Sequence, residues 1–249
     1  MDTVVLILVF STFLLAGMIK GVIGLGLPTV SLAILTVVIG LPQAMALLLV
    51  PSLLTNVWQA LVGGNATTIL KRIWPFILMA SATVWIGAIA LTTIDLSALS
   101  ALLGLLLITY AIVNLSGVRL LISARHECWA GSALGTVNGI LTGMTGSFVV
   151  PGVMFLQAIG LPRDTLVQAM GLLFTASTIA LAVSLFHNDL LSLRLGGLSL
   201  VAVVPAIAGM AAGRKIRKRL SEDLFRKVFF ISLLGLGTYI TVNAILSLA

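Results

Sequence analysis

Two long apolar runs, each broken by glycine, recur about 120 residues apart in this chain. The first reads Gly21-Val-Ile-Gly24-Leu-Gly26-Leu-Pro28 and reaches Gly40-Leu41-Pro42; the second reads Gly139-Ile-Leu-Thr-Gly143-Met-Thr-Gly146-Ser147 and reaches Gly160-Leu161-Pro162. From Gly26 and Gly146 onward they align without gaps, setting Gly40 on Gly160, Pro42 on Pro162, Thr55 on Thr175 and Leu61 on Leu181. Irregular backbone at membrane depth persists only where it is buried in protein or lines a cavity. A hydrophobic segment duplicated and interrupted at matching places is therefore a pointer to a transporter's substrate site.

Composition places the chain in a bilayer. Of its 249 residues 60% are hydrophobic and 8% charged, with a mean hydropathy of +1.23; soluble domains carry about 25% charged residues. Apolar runs long enough to span recur along its length, the mark of a polytopic helical membrane protein. The first run is read as a membrane segment and not as a cleaved leader, because Asp2 stands where a basic region would be. A single cysteine, Cys128, excludes an intrachain disulfide and argues against a thiolate metal site. The net charge of +7 comes from basic residues in the polar breaks, so it reflects membrane orientation and not nucleic-acid binding.

Membrane segments are expected at 3–24 and 27–39, then 42–62, 73–93 and 97–118; the second half gives 129–143 and 147–159, then 162–186, 193–213 and 224–247. Placing the basic breaks in the cytoplasm requires an even number of crossings between them. Residues 3–39 and 129–159 must then each begin and end on one side, as hairpins. Lys71, Arg72, Arg119, Arg125, Arg163, Arg214, Lys215, Arg217, Lys218, Arg219, Arg226 and Lys227 fall inside, twelve of fourteen basic residues, with Arg194 outside and Lys20 within a hairpin. An eight-span arrangement of parallel repeats puts the largest basic cluster outside, against that bias. The expected fold is an all-α polytopic membrane protein of two inverted repeats, residues 1–120 and 121–249, each a glycine-broken hairpin followed by three transmembrane helices. Return arms of about 12 residues reach about 18 Å, which would bring the two tips to meet near the midplane; re-entrant hairpins and pairs of thin full crossings both remain open and both keep the inversion.

At the tips, Pro28 suits the first turn of a new helix, whose free N–H groups and dipole favour an anion. Gly24 and Gly26 make the first turn; Gly143, Thr145, Gly146 and Ser147 make the second. Such glycines also allow close helix packing, the competing role. Lys20, one helical turn before Gly24, is a basic residue inside a membrane segment, costly enough there to imply a function, although a snorkelling lysine is the alternative. Asn138 is its neutral repeat counterpart. Thr55, Asn56 and Gln59 share a helix face, and Gln168, Thr175, Ser177 and Thr178 occupy the matching span; these are either interhelical hydrogen bonds or substrate ligands, with Thr55 and Thr175 coinciding in the repeats. No carboxylate falls within a full span, and neither a proton relay, a P-loop nor a nucleophile–base pair is visible.

These features resemble the sulfite exporter TauE/SafE family, also called the four-span toluene sulfonate uptake permease group. The resemblance covers nearly the whole chain and rests on the duplicated glycine-rich hairpin, the Gly-Leu-Pro closing each one, and the run Thr55-Asn-Val-Trp-Gln59. Members tend to carry Gly-x-Gly-Gly-Gly at each tip; this chain reads Gly24-Leu-Gly26-Leu-Pro28 and Gly143-Met-Thr-Gly146-Ser147. The resemblance implies a multi-pass protein of the bacterial inner membrane that moves sulfite, a sulfonate or a similar small anion.

The resulting expectation is an anion permease working by alternating access, not an enzyme, with no cofactor and no metal. Its partners are the anionic substrate and the lipid bilayer, and a homo-oligomer is compatible with it. Lys20, Gly24, Gly26, Thr55, Asn56, Gln59, Gly143, Thr145, Gly146, Ser147 and Thr175 are the expected substrate-binding residues. The alternative from another class is an intramembrane scaffold or assembly subunit that carries nothing.

Overall fold

The computed structural model describes residues 3–118, 120–217 and 221–248. Asp2 and, among the basic residues assigned above to the cytoplasm, Arg119, Lys218 and Arg219 lie outside them. The described residues are mostly helical: α1 Thr3–Ile23, α2 Leu27–Ile39, α3 Leu41–Leu61, α4 Ala66–Ala82, α5 Val84–Thr93, α6 Leu96–Ser116, α7 Glu127–Thr145, α8 Gly152–Ala158, α9 Arg163–His187, α10 Leu193–Val201, α11 Val203–Arg217 and α12 Glu222–Leu248, with a 3-10 turn at Ala124–His126. Seven spans among them are long and apolar enough to cross a membrane: α1, α3, α4–α5 together, α6, α9, α10–α11 together, and α12. All four tryptophans, Trp58, Trp74, Trp85 and Trp129, are exposed. Exposed tryptophans and a surface rich in leucine and isoleucine suit contact with lipid.

Element boundaries follow from local chemistry. Gly40 and Gly160, at φ 87° and 68°, end the return arms where an L side chain would be strained. The Asp95 carboxylate accepts the Ser97 N–H at 2.7 Å and caps α6, a bond that holds its pKa below the usual value. Both long spans expected as single helices are interrupted by one residue, Thr83 between α4 and α5 and Ala202 between α10 and α11. These breaks lie at corresponding places in the two halves. Thr83 Oγ1 sits 2.8 Å from the Met79 carbonyl oxygen and 2.9 Å from that of Thr136, tying the break to α7.

The described chain divides into two compact units that do not follow the two sequence halves. The first comprises 1–51, 95–117 and 191–249. Here α1 lies against α11 through Gly17, Gly21, Gly209 and Gly213: a Cβ on any of them would strike a backbone carbonyl of the facing helix. Without a hydrophobic drive between helices in lipid, such small-residue seams let dispersion hold the pair. The facing pairs are Leu14 with Gly209, Met18 with Gly213, and Gly21 with Arg214, so α1 and α11 run in the same direction. In a second seam α6 meets α12, with Gly104 against Gly237 and Thr241.

The second unit comprises 52–94 and 118–190. It repeats the same device with other residues. Gly131, Gly135, Gly139 and Gly143 recur every fourth position along α7, and that stripe lies on α4 and α5. Gly135 faces Phe76, Gly139 faces Ala80, and Gly143 faces Val84 and Ala88, again with both helices running the same way. In each unit, then, the outgoing arm of one half's hairpin packs along the interrupted span of the other half.

The first tip does not stand halfway along α11, because the outgoing arm is the longer of the two. α1 has 21 residues, enough for about 31 Å, and Gly21 already stands beside Arg214, so the turn lies at α11's basic end. Reckoning from the return arm alone overlooks that the outgoing arm is full length. The second return arm is not a 12-residue helix either: 147–151 are irregular, and only Gly152–Ala158 is helical.

Candidate functional site

In the first unit the site residues are Lys20, Gly24 and Gly26. α1 ends where Gly24 turns left-handed at φ 81° and returns its N–H to the Lys20 carbonyl at 2.8 Å. Gly26, at φ 111°, then starts α2 with Pro28 in its first turn, as expected. A side chain at Gly26 would be strained and would press on Ile19. The i→i−4 ladder of α2 begins with Val30 N to Gly26 O at 2.8 Å, so the Leu27 and Thr29 amides lie ahead of it, and no side chain caps them. Lys20 is 4% exposed, on the same face of α1 as Phe13 and Ala16. Most of the Lys20 side chain is thus covered by protein.

In the second unit, Gly146 at φ 73° caps α7 with its N–H on the Thr142 carbonyl at 2.7 Å. Gly24 stands to Lys20 as Gly146 stands to Thr142. Measured from the capping glycine, Thr142 holds the place of Lys20, one turn beyond Asn138. The tip is fastened by its own side chains: Thr142 Oγ1 donates to the Ser147 carbonyl at 2.9 Å, and Ser147 N–H donates to Thr145 Oγ1 at 3.2 Å. Gly143 is not part of the turn; it lies inside α7 against Val84.

The polar stripe divides by role. Gln59 Nε2 donates to the Val167 carbonyl at 2.6 Å, and Gln168 Nε2 donates to the Ala60 carbonyl at 2.8 Å. Gln168 Oε1 also accepts Asn65 N–H at 3.1 Å. These two amides bind the end of α3 to the start of α9. Thr175 spends its hydroxyl on the Gly171 carbonyl at 2.7 Å, and Thr145 on that of Leu141 at 2.7 Å. Thr55 donates to the Ser52 carbonyl at 3.3 Å and is 2% exposed, beside Asn56 at 0%.

Sequence reasoning assigned no role to Asn138 and committed to none for Ser177, yet both are completely buried. The available signal was an amide in the middle of a glycine-striped helix. Two further features lie off this chemistry. An apolar pocket of about 280 Å³ between α1, α2 and α12, with Ser232 as its single polar lining residue, offers an anion nothing. Among the described residues no group of three or more His, Cys, Asp or Glu is placed to hold a metal.

A family model described as "Sulfite exporter TauE/SafE" matches residues 9–240. Searches of the curated proteins and of the solved structures each returned no significant match.

Proposed function

The chain belongs to the sulfite exporter TauE/SafE family, and we propose that it is a multi-pass permease of a bacterial inner membrane moving sulfite, a sulfonate or a similar small anion by alternating access. The family is one of membrane transporters, and seven apolar helices fit that class. The observation that carries the reading is Lys20: a buried lysine one turn ahead of a left-handed glycine turn, followed by a helix whose first amides are uncapped. A lysine there adds positive charge for an anion, and a helix N-terminus adds favourable partial charge. In this reading each unit offers its own residues to an anion: in the first, Lys20 supplies charge and the backbone at Gly24 and Gly26 approaches it; in the second, Thr55, Asn56 and Ser147 offer hydrogen bonds. Gln59, Gly143, Thr145 and Thr175 hold the framework.

Inverted repeats at 1–120 and 121–249 belong to the same proposal. They are supported by the matching breaks at Thr83 and Ala202 and by the reciprocal packing of each hairpin on the other half's interrupted span. The test is flux of sulfite into liposomes containing the purified protein. Saturable uptake that competing sulfonates inhibit is expected; a folded protein that moves no anion overturns the proposal and favours the scaffold.

A further inference from the structure

The apolar pocket of about 280 Å³ lies wholly within the first unit and has a buried floor and an open rim. Val30 of α2 and Phe229 and Leu233 of α12 are buried in its floor, while Leu15 of α1 and Val228 of α12 stand at the rim, 44 and 55% exposed. Along α12 the lining runs from Phe225 to Leu236, about 16 Å at the helical rise. The pocket is thus long, narrow and open sideways to the hydrocarbon around α1 and α12. The single hydroxyl of Ser232 cannot hold water, which needs about two to four polar partners. A helix of the same length and about 10 Å across would need about 1,200 Å³, far more than the pocket holds. A single acyl chain fits its shape.

One end of the pocket is basic. Met18 lines it, and the Met18 carbonyl lies against Gly213, so the α1 wall stands level with the end of α11. That end carries Arg214, Lys215 and Arg217, all exposed. On α12 the exposed Arg226 and Lys227 follow Phe225, the first lining residue of that helix. The first hairpin's turn sits at the same level, since a Cβ on Gly26 would meet both Ile19 and Phe229 of the lining. Residues 214–227 hold seven basic side chains against two acidic ones, Glu222 and Asp223. Helix geometry sorts the described basic residues. Arg217 is one turn past Gly213 on the α1-facing side of α11, and Arg226 neighbours Phe229 on α12. Lys215 and Lys227 fall on the opposite faces of their helices.

We propose that this pocket is the binding site of one anionic glycerophospholipid, with an acyl chain held between α1, α2 and α12 and the phosphate headgroup between Arg217 and Arg226. The inference does not depend on which solute the protein moves. Basic groups gathered between spans at the polar face of a bilayer bind anionic headgroups, each adding about fivefold in affinity. Only residues 218–221 separate α11 from α12, five peptide steps that reach at most about 18 Å, so one headgroup lies within reach of both arginines. A planar guanidinium takes two phosphate oxygens at once, which favours these arginines over the lysines beside them. The chain supplies what the charge alone lacks, an apolar body that covers Phe229 and Leu233 where the helices leave a gap.

Native mass spectrometry on the purified, delipidated full-length chain tests this with dioleoyl phosphatidylglycerol, dioleoyl phosphatidylcholine and glycerophosphate. Phosphatidylglycerol should bind about 25-fold more tightly than phosphatidylcholine, the share of two arginines. Glycerophosphate, which has the charge without the chains, should not bind measurably. Arg217→Gln combined with Arg226→Gln should bring phosphatidylglycerol down to the affinity of phosphatidylcholine and leave the latter unchanged. Lys215→Gln combined with Lys227→Gln makes the same change in net charge on the opposite faces and should keep the preference. Ser232→Trp, at an exposed lining position, should fill the pocket and weaken both lipids by about tenfold or more, the worth of a few buried methylenes. Equal affinity for the two lipids overturns the inference, as does glycerophosphate binding as tightly as phosphatidylglycerol. A preference lost as fully in the lysine pair as in the arginine pair overturns it too, and so does undiminished lipid binding in folded Ser232→Trp. Should Ser232→Trp not fold, the arginine and lysine pairs, which lie on exposed helix ends, decide the matter.

Discussion

Arg72 grips Glu127 with two parallel bonds, Nε to Oε2 at 2.8 Å and Nη2 to Oε1 at 2.6 Å, and Nη2 donates again to the Ile159 carbonyl at 2.8 Å. One guanidinium on α4 thereby joins the first residue of α7 to the end of α8, closing the base of the second hairpin. The bond from Arg72, aided by its charge, holds the Glu127 carboxyl below the usual carboxylate range against the opposing effect of burial. A lowered folded pKa contributes stability that is present above the unfolded value and lost as pH falls through the folded one.

Arg72→Gln should therefore destabilise the protein at neutral pH by about 1 kcal/mol, the upper range for a pair whose arginine is partly exposed. The difference from wild type should shrink as pH drops through the acid range. Thermal unfolding in detergent across that range measures it. A gap that does not narrow on acidification would assign the effect to the Ile159 contact instead of the ion pair.

Substituting Lys20 separates charge from packing. Lys20→Gln should abolish the stabilisation that sulfite gives the purified protein while the protein remains folded, and Lys20→Arg should keep part of it, since the charge survives and the geometry does not. A thermal shift series with sulfite reads both. Full sulfite stabilisation in Lys20→Gln would remove Lys20 from the site.

The glycines fall into three groups with different expected outcomes. Gly87→Val and Gly209→Val would drive a side chain into the Ile140 and Leu14 carbonyls, so both should cost about 3 kcal/mol or more. Gly235→Val meets open space and should fold and transport normally. Gly104, which the sequence presents as an ordinary span glycine, belongs with the first group because Thr241 and Gly237 lie against it. Gly26→Val strains a left-handed turn and should lose transport beyond its loss of stability. Flux measured per folded molecule distinguishes these cases.

Orientation can be read from Cys128, the single cysteine of the chain and an exposed one. If the basic breaks are cytoplasmic, a membrane-impermeant maleimide should spare it in intact cells and label it in inverted vesicles. A reporter active only in the cytoplasm, fused after the last residue, should stay silent. Cytoplasmic activity of that reporter would overturn the inverted arrangement, and labelling of Cys128 in intact cells would overturn the cytoplasmic placement of the break that holds it.

The membrane-spanning helical class was legible from composition and apolar run length, because a bilayer forces backbone pairing within each segment whatever the tertiary context. The return helix 27–39 and the turn glycines Gly24, Gly26 and Gly146 were legible too: positive φ and a proline in the first turn are local demands that leave their mark on residue type. Buried Lys20 could be singled out, since an intramembrane cation is conspicuous in any arrangement. The breaks at Thr83 and Ala202 could not be read, as neither residue is a helix breaker and the Thr83 hydroxyl finds its second acceptor on another helix, at Thr136. Only tertiary structure showed that α1 packs along α11 and α7 along α4 and α5, because glycine permits close approach without naming the partner. Only tertiary structure, likewise, separated polar groups that bind helices together, such as Gln59 and Gln168, from those left without partners, such as Asn138 and Ser177. Side-chain type states what a group can donate or accept; its neighbours decide whether the bond is made.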